Sequence, residues 1–98
     1  TMKRLTYKEG WMGGGYLIEG STTKFDTGQS AKLSVDGYRY KAAFKKSFGS
    51  DYDHGHSYDW TRVDIGVEDM VLGVPVFVSV REILEASPEA IVEVEIEA

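Results

Sequence analysis

Five potential metal ligands fall close together in the chain: Asp51, Asp53, His54, His56 and Asp59. Imidazole with carboxylate suits zinc, manganese or iron, and His54, His56 and Asp51 around an open coordination position would make a hydrolytic centre. Gly55 lets the backbone fold beneath the two histidines and send both rings to one side. The spacing matches neither His-Glu-x-x-His nor an EF-hand loop, whose alternating oxygen ligands leave no place for imidazole. Without a metal, one histidine could act as general base, oriented by Asp53 or Asp59, with a tyrosine or lysine stabilising charge. No serine or threonine stands in a nucleophile-presenting motif. The plainer alternative is a polar surface loop whose tyrosines dock on the domain.

Recognition is a third use for the same stretch. Residues 49–60 hold no aliphatic side chain, and Tyr52, Tyr58 and Trp60 are of the types that dominate interface hot spots. Asp, Ser and Gly between them supply adaptable polar contacts. Trp60 opens the strand that follows, which leaves residues 49–59 as an irregular loop. A long loop inside a compact domain is more often functional than neutral. The leading expectation is therefore a non-enzymatic protein-binding module, an adaptor or inhibitor, working through Tyr52, Asp53, His54, His56, Tyr58 and Asp59. A metal- or histidine-dependent hydrolase using His54 and His56 is the alternative. A nucleic-acid binder comes third, and no cofactor is expected beyond that divalent metal.

The elements that must position this loop read as strands. Leu5 and Tyr7 alternate with polar neighbours, and Tyr16-Leu17-Ile18-Glu19 follows a glycine-rich segment at residues 10–15. That segment resembles a phosphate-cradling turn only loosely, because neither Gly-Lys-Ser/Thr nor a helix follows it. Residues 21–30 read as a connecting loop. Ala31-Lys32-Leu33-Ser34-Val35 then alternates, Asp36-Gly37 marks a type I′ hairpin, and Tyr38-Arg39-Tyr40-Lys41-Ala42-Ala43-Phe44 returns. A two-residue turn opposes Val35 to Tyr38, Leu33 to Tyr40 and Lys32 to Lys41. Lys32, Arg39, Lys41 and Lys45 make a basic face, the candidate nucleic-acid surface. Opposed lysines favour something anionic nearby.

Beyond Trp60, residues 61–67 alternate with Val63, Ile65 and Val67 inward, and Glu68-Asp69 offers a turn. Residues 70–78 are nearly all apolar, and Pro75 confines that strand to an edge or a bulge. Ser79-Val80-Arg81-Glu82 has the capping-box form, which predicts a helix from Val80 to about Ala86, burying Val80, Ile83 and Leu84 and ended by Ser87-Pro88. In residues 91–97, Val92, Val94 and Ile96 alternate with Glu93, Glu95 and Glu97. Paired beside residues 38–45, those glutamates would answer the basic face.

Length and composition set the frame. Thr1 ahead of Met2 reads as an expression scar, and residues 2–98 suffice for a single small globular domain with one core. The pattern predicts an α+β fold: a mainly antiparallel, twisted sheet of about five or six strands with one short C-terminal helix packed on it. Without cysteine there is neither a disulfide framework nor a thiolate site, which fits a reducing, cytoplasmic setting. Size and composition are those of many phage and mobile-element proteins. A charged N-terminal segment and the lack of a long apolar run point away from a signal peptide or membrane span. The net charge of −5 weighs against indiscriminate nucleic-acid binding and favours another protein as partner. It conceals an asymmetry: nine Lys/Arg against four Asp/Glu in residues 1–48, and two Arg against twelve Asp/Glu in residues 49–98. Halves so charged are expected to fold onto each other.

Overall fold

The computed structural model describes residues 1–10 and 14–97. In chain order its strands are β1 (Lys3–Lys8), β2 (Gly15–Ile18), β3 (Ser21–Thr23), β4 (Ser30–Val35), β5 (Tyr38–Lys41), β6 (Ala43–Asp53), β7 (His56–Val71), β8 (Val74–Ser79) and β9 (Val92–Glu97). Helix α1 (Val80–Ala86) lies between β8 and β9. The larger sheet has six strands in the order β3-β2-β1-β9-β4-β5, and β6-β7-β8 form a second sheet. Neighbouring strands run antiparallel throughout. This is the α+β class read from the sequence, with a three-stranded sheet added to the one expected. No helix among the described residues is long and apolar enough to cross a membrane.

Alternation in the six-stranded sheet buries one face. Leu5, Tyr16, Ala31, Leu33, Val92 and Val94 point inward, and Ile65 from β7, Val80 from α1, Phe25 and Ala90 close the core against them. Phe44, Val63, Val67, Ile83 and Leu84 pack around that centre. The second sheet and the helix thus cover the same face of the first. Helix α1 starts where the sequence puts it: Ser79 caps it by accepting a hydrogen bond from the Glu82 amide at 3.1 Å, and Ser87 ends it.

Four hairpins share one device. Glu19-Gly20, Asp36-Gly37, His54-Gly55 and Leu72-Gly73 each join adjacent strands through two residues, and both residues of each turn have positive φ, near +50° and then +80°. That is the type I′ turn, whose twist matches that of the flanking strands. The Asp36-Gly37 register is as the sequence indicates, and Ala42 extends it by donating to the Ala31 carbonyl at 2.9 Å.

The other three turns correct the sequence reading. Residues 49–59 are not an irregular loop but the two arms and the tip of a hairpin, because β6 and β7 pair without interruption from Ala43–Gly66 to Asp53–His56. Residues 21–30 contain β3, which folds back on β2. The chain turns at Leu72-Gly73 and not at Glu68-Asp69, which are paired within β7. Pro75 does sit on an edge strand.

Two further expectations change. β9 lies between β1 and β4, so Glu95 faces Lys32 and Glu93 faces Ser34 and Arg4; β5 is on the far side of β4. Lys45 leaves the basic face altogether, because the chain passes at Ala42 from β5 in one sheet to β6 in the other. The phosphate reading of residues 10–15 falls partly on Trp11, Met12 and Gly13, which lie outside the described residues.

Candidate functional site

In an antiparallel pair, directly opposed side chains share a face. Asp51, Asp53, His56 and Tyr58 therefore lie on one side of the β6–β7 hairpin, and Phe48, Ser50, Tyr52, Ser57 and Asp59 on the other. His54 occupies the turn itself, at φ 49°. This geometry divides the metal set read from the sequence. His54 Nε2 reaches Asp53 Oδ1 at 3.6 Å, but Asp51 stands one strand repeat away, about 7 Å. Among the described residues no group of three or more His, Asp or Glu side chains is placed to hold a metal ion. Asp59 is occupied across the strands, accepting from Ser50 Oγ at 2.6 Å. The proposed binding residues Tyr52, Asp53, His54, His56, Tyr58 and Asp59 do share one hairpin end, divided between its two faces and the turn. Tyr52 is 73% exposed, as is Phe48 further down the arm.

The opposite end of β7 holds an apolar feature at the turn into β8, the segment that the sequence reading gave as an apolar edge or bulge strand. Met70, Val71, Leu72, Val74 and Val76 are all exposed, and Leu72 is fully so. Leu72 also has φ 50°. An L-residue without a short polar side chain pays about 1–2 kcal/mol for that region, which is why Asn or Asp normally stands there. Burial does not offset this strain, since nothing covers the side chain. Glu68 and Asp69 flank the apolar tip on the same arm and are exposed.

Between these ends β7 crosses the core, and there the row Trp60, Arg62 and Asp64 is internal. The Asp64 carboxylate is 3% exposed. It accepts hydrogen bonds from Tyr16 Oη, from Ser47 Oγ at 2.9 Å and from Arg62 Nε at 3.2 Å, and Arg81 Nε lies 3.9 Å away. Arg62 Nη1 in turn donates to Tyr7 Oη at 2.8 Å, and its guanidinium sits 4.8 Å from the Trp60 ring. A Cβ at Gly49 would collide with that ring, so the glycine makes room for it. Burial and the adjacent carboxylate push the Tyr16 phenol far above its usual pKa, and burial raises Tyr7 against the opposing pull of Arg62. Burial works most strongly against the Arg81 charge, but Asp64, Tyr7, Glu85 and Tyr16 together outweigh it and hold that pKa above its ordinary value. Hydrogen bonds and ion pairs surround both Asp64 oxygens, so this carboxylate holds β2, β6, β7 and α1 together and has no free face for proton transfer to a substrate.

Sequence reasoning missed this cluster because Val63, Ile65 and Val67 face the core, which assigns Arg62 and Asp64 to solvent. The available signal was opposite charges two residues apart beside a tryptophan, on a strand long enough to be covered on both faces.

The remaining basic face is the edge of the larger sheet. Lys32, Arg39, Tyr40, Lys41 and Glu97 border a shallow cleft of about 440 Å³. Lys32 lies between Lys41 and Glu95, so the positive surface is narrow and has acidic neighbours. Comparison of the chain with known protein families, curated proteins and solved structures finds no match.

Proposed function

We propose that this domain is a non-enzymatic protein-binding module, an adaptor or inhibitor, that presents hairpin ends to its partners. The observation that carries this reading is Leu72: a fully exposed leucine, in a backbone conformation leucine disfavours, among four other exposed apolar side chains. Strain retained without any gain in the fold points to a use outside it, and a contiguous exposed apolar patch marks an interaction site. The histidine-bearing end of β6–β7, with Tyr52, Asp53, His54, His56, Tyr58 and Asp59, is the second contact surface. The acidic flanks Glu68 and Asp69 suit a partner whose apolar groove has a basic rim.

The test is a photo-reactive residue at position 72 in cells that make the protein, followed by purification of the cross-linked partner and titration. Leu72→Asn is expected to weaken that complex at least tenfold while leaving the fold intact. Unchanged affinity for the variant would remove the tip from the interface.

A further inference from the structure

The β6–β7 hairpin has one edge already paired, and the other is strand β6. Among the described residues four strands lie at sheet edges: β3, β5, β6 and β8. β3 and β5 are only three and four residues long and β8 carries Pro75, both common ways of discouraging further pairing. β6 is eleven residues long and has no proline. In a two-residue hairpin the pair flanking the turn exchanges both of its hydrogen bonds, so Asp53, Asp51 and Gly49 direct their backbone groups at β7. Tyr52, Ser50 and Phe48 therefore direct theirs outward.

We infer that β6 pairs with β6 of a second copy, antiparallel about a two-fold axis at Phe48. This rests on the reading of the hairpin as a protein contact and supplies its partner. The register follows from the side chains. Centred on Phe48, the pairing sets Phe48 against its own copy, Phe44 against Tyr52, and Lys45 against Asp51, the last two occurring twice by symmetry. Aromatic pairs and opposite charges directly across from one another are both favourable. A shift of the axis to Lys46 opposes that lysine to itself. A shift to Ser47 or Gly49 sets Phe48 against Lys46 or Ser50, and a shift to Ser50 leaves Lys45 without a partner within the strand. Only the Phe48 register satisfies aromatic and charged positions together.

Beyond Ala43, at the end of β6, lies a cleft of about 490 Å³ whose lining includes Tyr40, Lys41, Ala42 and Phe44. The register brings Asp53 of the second copy opposite Ala43, at the border of this cleft, whose lining holds one basic residue, Lys41, and one acidic residue, Glu68. The contact is isologous and closes as a dimer.

Sedimentation velocity between about 10 and about 500 µM spans the association range of an interface this small. The native chain is expected to form a dimer. Lys45→Asp and Asp51→Lys, each of which sets two like-charged pairs against each other, should weaken it by about tenfold or more, and the double variant should restore it. Leu72→Asn should leave it unchanged. A native chain monomeric throughout, or a dimer indifferent to both charge reversals, overturns the inference. Neither result touches the Leu72 titration, so failure here is distinct from failure of the binding reading.

Discussion

Replacing Asp64 by asparagine keeps the shape of the side chain and removes its charge, which takes the carboxylate from Arg62 and leaves Arg81 with Glu85 alone. Breaking a buried ion cluster at one member costs about 3–5 kcal/mol. Urea denaturation of Asp64→Asn should show a loss of that size, whereas Asp51→Asn, on the exposed arm, should stay within about 0.5 kcal/mol of the native chain. The contrast matters because the sequence presents the two aspartates alike, each flanked by polar or alternating residues. Alternation tells which residues share a face and is silent on whether a second layer covers the other face. Val63 and Ile65 were legible as core for that reason, and Asp64 was not. The histidines failed in the opposite way. Their spacing suggested convergence, but a type I′ turn takes His54 out of the strand and leaves His56 opposite Asp53.

Among the elements, α1 and the β4–β5 hairpin were legible because each carries a local chemical signal, a serine cap and an Asp-Gly turn. Two of the other three hairpins use Glu and Leu before glycine, residues that do not favour positive φ, so those turns are imposed by strand pairing and not by their own residues. Where no compensation exists, that imposition should be measurable. Leu72→Asn relieves a strained backbone at a site where the side chain has no contacts to lose, so thermal or urea unfolding should show a gain of about 0.5–1 kcal/mol. A variant that is more stable yet weaker in partner binding would separate the two demands on this turn. If stability falls instead, Leu72 supports the fold and the case for its use in recognition weakens. β7 itself is the element that joins the ends. Its sixteen residues pair with β6 from His56 to Gly66 and with β8 from Gly66 to Val71. Gly66, where β6 and β8 both meet β7 and where a Cβ would strike the Val78 backbone, lies at that crossing.

For the whole molecule, one strand of the acidic half, β9, is inserted between β1 and β4 of the basic half. Projecting hairpins account for a radius of gyration of 14.1 Å, above the roughly 13 Å of a compact chain this long. Besides the apolar core and the Arg62–Tyr7 bond, what holds the two sheets in register is Tyr16 on β2, bonded to Asp64 on β7. Its phenol keeps its proton in the folded state to far higher pH than in the unfolded chain, where the ordinary value is 10.0, chiefly because it is buried and then because Asp64 is beside it. A group whose pKa is raised by folding contributes stability that is complete below its unfolded pKa and is lost as pH rises towards the folded one. Below about pH 10 the phenol is neutral in both states and its contribution to stability does not change with pH. Above that, the unfolded chain releases a proton that the folded chain retains, and stability falls by about 1.4 kcal/mol per pH unit for this group. Tyr16→Phe should lower stability at neutral pH, through the lost bond to Asp64, and should make the decline above pH 10 shallower by one proton. Urea unfolding at pH 9, 10, 10.5 and 11 measures both quantities. An unchanged slope in the variant would mean that the sheets separate locally at alkaline pH and expose Tyr16 before the chain unfolds.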